Sequence, residues 1–400
     1  MQYDRLYARR AARPVPALFR AGAASPAGVI PLTYGFPDPG SFPIEALVAA
    51  STQVLRTHGR DALQYGPIAG PEPLLDLLVR KLDAEGIPAG RDNLLVTSGG
   101  SQGIDLVTHL LVDPGDVVIV EAPTFIGALQ TFRNAEAEPH EVPLDEHGLD
   151  VEALGALLER LAADGRQAKL IYTIPTFHNP AGVTLTEPRR RALIDLARRY
   201  GVLVLEDDAY SELRFEGERL PSLYSLAPED CVIQVRTFSK ILAAGLRLGY
   251  LVVPRELLPR LLQLKVDVGT SPFACYLAVA YASDPPGTLD RLYAHIEELR
   301  AIYRQRRDAM LGALEEYAPP GVEWTRPQGG FFTWLTLPEG LDAAALLPKA
   351  TEAGVTYIPG SSYFACGPGT RHLRLAFSFL PPADLIEGVR RLCRVIAQAG

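Results

Sequence analysis

The sequence is poor in the residues that build disulfide scaffolds and metal centres. Among its 400 residues there are four cysteines, and these are far apart, with neither a CxxC pair nor a zinc-ligand spacing. Its seven histidines show no HExxH-type pattern. These absences argue against a metal site. The scattered cysteines are typical of free thiols in a reducing compartment.

Long apolar runs and an excess of positive charge are also missing. No apolar run approaches the roughly 18 residues that a bilayer span requires, and the arginine-rich residues 1–20 lack the apolar core of a secretory signal. The formal net charge of -8 argues against nucleic-acid binding through bulk electrostatics. The sequence therefore predicts a cytoplasmic protein with no membrane or nucleic-acid partner.

Lysine is scarce as well, and one of the few lysines has an unusual setting. Arginine supplies most of the positive charge, and the five lysines are Lys81, Lys169, Lys240, Lys265 and Lys349. Lys240 follows an apolar strand and the hydroxyls of Thr237 and Ser239, and Arg247 lies seven residues after it. A lysine amine in a pocket can form a Schiff base with an aldehyde, while hydroxyls and an arginine can hold a phosphate. Pyridoxal phosphate combines these two groups, so the segment favours a site for that cofactor.

The order of predicted elements indicates an α/β fold with two domains. The length and a hydrophobic content of 48% suit more than one core. Short apolar strands alternate with helical patterns up to about residue 253, which is typical of a mostly parallel sheet covered by helices on both faces. We expect an N-terminal segment (1–42) belonging to the small domain, a large domain (43–285), and a small α+β domain (286–400) with a long linking helix at about 289–317.

Four further motifs follow or lie in predicted strands. Ser98-Gly99-Gly100-Ser101-Gln102, at a helix start, presents free N–H groups to an anion. Asp207 can pair with a pyridinium nitrogen, and Asn179, in an Asn-Pro turn, can donate to a phenolate oxygen. Arg374, inside an apolar strand, suits bidentate capture of a carboxylate. Each motif alone also has an ordinary explanation as a turn, a helix cap or a solvent-exposed strand residue, and their joint occurrence favours a site.

The order of these motifs resembles that of fold-type-I pyridoxal-phosphate enzymes of the class I aminotransferase group. The resemblance runs from about residue 30 to the end and includes Tyr65-Gly66-Pro67. Gln328-Gly329-Gly330-Phe331-Phe332-Thr333-Trp334 resembles a strand of the branch that includes 2-aminoadipate and kynurenine aminotransferases. The resemblance to this family implies pyridoxal 5′-phosphate as cofactor, a seven-stranded sheet in the large domain, and a homodimer.

The resemblance implies a role for each cofactor-binding residue. Lys240 binds the cofactor covalently and moves the substrate proton, Asp207 pairs with the ring nitrogen, and Phe125 stacks on the ring. Asn179 and Tyr210 bond to the phenolate oxygen. The phosphate is held by Gly100, Ser101, Gln102, Thr237, Ser239 and Arg247, with Tyr65 reaching it from the neighbouring subunit.

The resemblance also implies the substrate side of the site, where the sequence departs from the family. Arg374 holds the substrate α-carboxylate, with Asn179, Gly35 and Tyr34 beside it. Tyr34 stands where relatives often have glycine, and its bulk argues against an aminoadipate-sized substrate. Phe125 stands where tyrosine is frequent, which keeps the stacking and removes a hydroxyl.

The predicted activity is amino transfer from an L-amino acid to a 2-oxo acid by a ping-pong mechanism, with 2-oxoglutarate as the expected acceptor. The same scaffold supports β-lyases, decarboxylases and oxidases that act on amino acids. The sequence leaves open whether the donor is acidic, aromatic or branched-chain.

Overall fold

The computed structural model of the chain describes residues 3–12 and 28–399. Residues 13–27 of the predicted N-terminal segment lie outside the described part. Short 3-10 helices occupy Tyr3–Arg5 and Arg9–Ala12. None of the described helices combines the length and the apolar composition needed to cross a membrane.

The described residues form helices and strands in frequent alternation. The helices are α1 (Ile44–Ala62), α2 (Glu72–Ala84), α3 (Gly100–Leu111), α4 (Ile126–Asn134), α5 (Val151–Ala163), α6 (Glu187–Tyr200), α7 (Leu223–Leu226), α8 (Leu258–Leu264), α9 (Pro272–Ala282), α10 (Asp290–Tyr317), α11 (Ala343–Glu352) and α12 (Pro382–Ala399). The strands are β1 (Ile30–Pro31), β2 (Leu94–Thr97), β3 (Val117–Ala122), β4 (Glu138–Asp145), β5 (Gly148–Leu149), β6 (Ala168–Thr173), β7 (Leu203–Asp208), β8 (Val232–Thr237), β9 (Gly249–Val252), β10 (Glu323–Trp324), β11 (Phe332–Thr336), β12 (Val355–Thr356), β13 (Ile358–Pro359) and β14 (His372–Ala376).

The large sheet has the strand order β2-β9-β8-β7-β6-β3-β4-β5. Strands β8, β7, β6, β3 and β4 are parallel to one another, whereas β9 runs antiparallel to both β2 and β8. The resemblance implies seven strands; the sheet has eight, because the two-residue β5 adds a hairpin at its edge. The mostly parallel α/β fold is therefore confirmed.

Side chains of the central strands alternate between two buried clusters. Val118 and Val120 pack into one cluster together with residues of α3, α4 and α8. Ile119, between them, packs into the other, which includes residues of α2, α5 and α6. Because successive strand residues point to opposite faces, strands buried on both faces read as continuous apolar runs. That is why the sequence predicted most of these strands.

The smaller sheet is antiparallel, with the order β10-β11-β14-β13. Strand β1 pairs in parallel with β12, so residues 30–31 join the C-terminal part of the chain at residues 355–356. Helix α12 packs against α10 and α11 beside them. The domain boundaries at residues 42 and 285 stay a prediction.

One edge of the large sheet collects the ends of the strands that precede the sequence motifs. Strands β3, β6, β7 and β8 end there, and Gly249 at the start of the antiparallel β9 lies opposite both Thr97 and Thr237. Loops at the carboxyl ends of parallel strands share one edge of the sheet, which is where ligands bind in such folds.

Candidate active site

Lys240 lies just beyond β8 with its amine inside the protein. Its Nζ is 3.2 Å from the carbonyl oxygen of Gly35, and it lies 5.5 Å from the ring centroid of Phe331 and 6.0 Å from that of Tyr210. Burial, helped by the positive charge of Arg374, lowers the pKa of Lys240 to about 8. A substantial neutral fraction therefore exists near neutral pH, as a nucleophilic amine requires.

Asp207 lies near the end of β7, two strands from the end of β3. The hydroxyl of Tyr172, on the neighbouring strand β6, donates a hydrogen bond of 2.6 Å to its Oδ2. Burial raises the pKa of Asp207 to about 6, although the hydrogen bond from Tyr172 opposes that rise. The carboxyl is therefore mostly ionised at neutral pH and offers a negative charge to a cationic ring nitrogen.

A buried carboxylate–imidazole pair supports this part of the site. Glu121 accepts hydrogen bonds from Thr173 Oγ1 (2.6 Å), the Ile174 N–H (2.9 Å) and His178 Nε2 (3.0 Å). The Ala181 N–H donates to His178 Nδ1 at 3.2 Å, so Nε2 carries the proton that Glu121 accepts. The pair fixes the loop after β6. The sequence analysis assigned no role to Glu121 or His178. The feature that could have identified Glu121 is that it is the single charged residue in the apolar strand β3.

That loop brings Asn179 against Arg374. Arg374 Nη1 donates to Asn179 Oδ1 at 3.1 Å, and Nη2 donates to the carbonyl of Thr33 at 2.7 Å. The guanidinium carbon lies 4.2 Å from the ring centroid of Phe332. Because the oxygen of Asn179 is used by Arg374, its amide nitrogen is left to donate. A hydrogen bond with Asn179 also opposes the rise in the pKa of Tyr210 that burial causes.

Residues 34–36 lie beside both Lys240 and Arg374. A Cβ on Gly35 would lie 2.6 Å from Phe332 Cε1 and 3.7 Å from Arg374 Nη1, so only glycine fits. The ring of Tyr34 stacks on Phe36 with centroids 5.4 Å apart and meets Phe379 edge-on at 5.3 Å. This part of the site thus presents an aromatic surface.

Gly99, Gly100, Thr237, Ser239 and Arg247 form a cup at the start of α3 that suits an anion. Gly99 precedes the helix with a φ of 83°, and a Cβ there would lie 2.6 Å from Arg247 Nη2, so the guanidinium packs directly on the glycine. On the other side, Thr237 Oγ1 lies 2.9 Å from Ser239 Oγ, and Gly100 approaches Thr237. Helix N–H groups, hydroxyls and an arginine suit a phosphate.

The remaining predicted cofactor residues have different surroundings. The side chain of Gln102 is occupied, because Oε1 accepts from the Ser98 N–H (2.7 Å) and Nε2 donates to Asp267 Oδ2 (2.8 Å). Ser101 lies in the first turn of α3. The half-buried ring of Phe125 packs over Gly127. Tyr65 is 81% exposed on the surface. The roles assigned to these four residues stay predictions.

Together these groups fit pyridoxal phosphate. The structure brings together an amine for the aldehyde, a carboxylate for the ring nitrogen and a cup for the phosphate. The buried Nε of Arg374 has no hydrogen-bond partner within the described part of the chain, which leaves a donor for a bound carboxylate. Within residues 3–12 and 28–399 no group of three or more His, Cys, Asp or Glu residues is placed to hold a metal ion.

Comparisons with known proteins point the same way. The family described as aminotransferase class I and II matches residues 27–392. The aromatic-amino-acid aminotransferase 1 of Thermococcus litoralis is 41% identical over 92% of this chain and 88% of its own length. The 2-aminoadipate transaminase of Thermus thermophilus is 38% identical over 92% of this chain and 90% of its own length. The kynurenine aminotransferase of Pyrococcus horikoshii, solved in complex with PMP, superposes with a TM-score of 0.93 at 37% identity, covering 100% of this chain and 98% of that one.

Proposed function

Because the chain belongs to the aminotransferase class I and II family and is a pyridoxal-phosphate-dependent aminotransferase, we propose that it moves an amino group from an L-amino acid to 2-oxoglutarate in a ping-pong reaction. One observation carries the proposal. The Lys240 amine and the Arg374 guanidinium both lie next to Gly35: the amine is 3.2 Å from its carbonyl oxygen, and Arg374 Nη1 is 3.7 Å from the position of a Cβ on it. An α-amino acid carries its amino and carboxylate groups on one carbon, and the amine and the guanidinium likewise lie next to one residue, Gly35.

Each residue of the site has its own role in the proposed reaction. Pyridoxal phosphate, when bound, supplies an electron sink for the charge that develops at the substrate Cα. Lys240 holds the cofactor and then moves a proton at that carbon, first as base and then as acid. Asp207 stabilises the proton on the ring nitrogen, and Asn179 and Tyr210 donate to the phenolate oxygen. Arg374 orients the substrate through its α-carboxylate.

The phosphate end is proposed to lie in the cup at the start of α3. Gly100 and Ser101 supply N–H groups at the positive end of the helix, and Thr237 and Ser239 supply hydroxyls. Arg247 supplies the charge. Gln102 contributes to phosphate binding indirectly, because its hydrogen bond to Asp267 fixes the first turn of the helix.

We propose an aromatic or other apolar amino acid as the donor. The support is the aromatic wall made by Tyr34, Phe36 and Phe379, which would pack on an apolar side chain. The similarity to an aromatic-amino-acid aminotransferase points in the same direction.

We also propose a homodimer in which Tyr65 reaches the phosphate of the other subunit. Tyr65 is 81% exposed, and Val266, on a second loop, is 87% exposed. The two loops adjoin, because a Cβ on Gly269 would lie 3.2 Å from the carbonyl oxygen of Pro67. Neighbouring exposed apolar side chains indicate a surface that a second copy covers.

The first test is the absorbance spectrum of the cofactor-loaded protein during addition of each common amino acid. A spectral change reversed by 2-oxoglutarate, with the new amino acid and oxo acid identified as products, would support amino transfer. Release of ammonia or carbon dioxide instead would indicate a lyase, an oxidase or a decarboxylase.

Subunit mixing tests the dimer. Lys240→Ala and Tyr65→Ala variants are each expected to be poorly active, and mixing them should recover activity. In the mixed dimer one site has the intact lysine together with Tyr65 from the other subunit. No recovery would show that Tyr65 serves its own subunit or none.

A further inference from the structure

Tyr363 is an unexplained buried polar group beside the active site. It ends the short 3-10 helix Gly360–Tyr363, its exposure is 0%, and its hydroxyl has no hydrogen-bond partner within the described part of the chain. Arg374 Nε is unpartnered in the same way. Buried polar groups are nearly always hydrogen-bonded, so two unpartnered buried groups at one place indicate a site at which a ligand binds.

The two side chains are neighbours. The ring centroid of Tyr363 lies 5.3 Å from the guanidinium carbon of Arg374, with Phe332 at 4.2 Å as a second aromatic contact. Tyr363 therefore lies directly beside the guanidinium that is proposed to hold the substrate carboxylate.

Tyr363 is held in place on two sides. Its carbonyl accepts a hydrogen bond of 2.9 Å from the Thr124 N–H. Its ring meets Trp334 edge-on with centroids 5.6 Å apart. A side chain anchored at its backbone and its ring presents its hydroxyl in a defined direction, as a substrate-positioning group must.

The free groups on both residues are donors. Burial raises the pKa of Tyr363 to about 12, although the charge of Arg374 opposes this, so the hydroxyl keeps its proton at neutral pH. Arginine has five N–H donors, and Arg374 uses one each for Asn179 and Thr33. An ionised carboxylate accepts several hydrogen bonds and carries the charge that Arg374 attracts.

We propose that Tyr363 is a further substrate-binding residue, whose hydroxyl donates a hydrogen bond to the α-carboxylate held by Arg374. The inference rests on the proposed function, because it takes an amino acid and a 2-oxo acid as the ligands. Since both carry the same carboxylate, Tyr363 acts in both halves of the reaction.

The test is Tyr363→Phe, which keeps the ring contacts and removes one hydroxyl. Tyr250→Phe is the matched control, because Tyr250 is also buried with an unpartnered hydroxyl but faces the buried ions Arg236 and Lys81. Thermal unfolding should be nearly unchanged in both variants. The substrate is the amino acid that the wild-type protein converts fastest, with its α-methyl derivative as a ligand that binds without losing an α-proton.

Tyr363→Phe should weaken binding of the α-methyl derivative about tenfold, as for loss of a hydrogen bond to a charged group. The KM values for donor and acceptor should rise similarly, with a smaller change in kcat. Tyr250→Phe should change none of these. Unaltered binding in Tyr363→Phe, with an active wild-type protein, would overturn this inference alone. A wild-type protein that converts no amino acid would overturn the proposed function, and this inference with it.

Discussion

The amine of Lys240 and the carbonyl oxygen of Gly35 lie 3.2 Å apart, although 205 residues separate them in the chain. The contact joins the loop after β8 to the segment after β1. A side chain at residue 35 would collide with Phe332, so glycine lets the backbone approach the amine. The same segment supplies the carbonyl of Thr33 to Arg374. One short stretch therefore contacts both the amine of Lys240 and the guanidinium of Arg374.

The low pKa of Lys240 predicts the pH dependence of cofactor attachment. The neutral amine is the nucleophile, and its fraction rises with pH through the pKa. The rate at which cofactor-free protein binds pyridoxal phosphate covalently should therefore rise with a midpoint at about pH 8, well below the ~10.4 of an ordinary lysine.

Stopped-flow absorbance between pH 6 and pH 10 measures that rate. Lys169, which is exposed on β6, provides the control. Lys169→Ala should behave as the wild-type protein, and Lys240→Ala should give no covalent attachment. A midpoint near that of free lysine would contradict the buried setting of Lys240.

Tyr172→Phe should weaken cofactor binding in a pH-dependent way. Tyr172 donates to Asp207 and lowers the pKa of that carboxyl. Without this hydrogen bond the pKa of Asp207 rises above about 6, so less of the carboxyl is ionised near neutral pH. We expect about tenfold weaker binding at pH 6, from the loss of a hydrogen bond to a charged group, and little difference at pH 9, where Asp207 is ionised in both proteins.

Equilibrium titration with pyridoxal phosphate at several pH values measures this effect. Tyr224→Phe is the control, since Tyr224 is buried and its hydroxyl contacts the carbonyl of Val253 at 3.4 Å. An equal loss of affinity at every pH would indicate a packing defect rather than a change at Asp207.

Gly99→Ala should damage the phosphate cup. The backbone at residue 99 has φ 83° and ψ 167°, a region essentially restricted to glycine, and the added Cβ would lie 2.6 Å from Arg247 Nη2. We expect a loss of about 1–3 kcal/mol in the free energy of unfolding and weaker binding of pyridoxal phosphate and of inorganic phosphate.

Gly245→Ala tests whether this effect is specific. Gly245 is exposed in the loop that carries Arg247, and a Cβ there meets nothing within 4 Å. Denaturant unfolding and phosphate titration of this variant should match the wild-type protein. Equal effects of the two substitutions would argue against the cup.

Arg374→Lys should separate charge from geometry at the carboxylate site. Lysine keeps the positive charge and loses the planar fork that contacts Asn179 and Thr33. We expect KM to rise about tenfold or more for both the amino acid and the oxo acid, with a smaller fall in kcat, in steady-state kinetics. Arg371→Lys is the control, because Arg371 contacts the carbonyl of Leu337; a similar rise in KM there would refute a specific role for Arg374.

The sequence predicts the parts of the site that follow strands. Lys240, Asp207 and Asn179 lie at or just beyond the ends of apolar parallel strands, and such ends meet at one edge. Strand β4, next to the edge, is not recognisable from its local pattern, because it is polar and contains Pro139 and Pro143, which do not suit a central strand.

Contacts between distant segments were not predictable in the same way. The bond from Tyr172 to Asp207 depends on the pairing register of β6 and β7. The position of Tyr363 beside Arg374 depends on how the C-terminal strands fold back on each other. Local patterns specify which residues lie in a strand, but side-chain partners across the sheet are set by register and packing.

The antiparallel direction of β9 limits which insertions and deletions the loop between β8 and β9 can accept. The chain leaves the sheet at Thr237 and returns at Gly249, and the Phe238 N–H donates to the Leu248 carbonyl at 2.9 Å across the base of this excursion. Lys240 and Arg247 therefore lie on one closed loop, so the length of that loop sets the spacing between the proposed covalent attachment residue and the proposed phosphate-binding arginine. An insertion or deletion within residues 238–248 would change that spacing, whereas Gly35 and Arg374 lie on other segments of the chain and keep the lengths of their own segments.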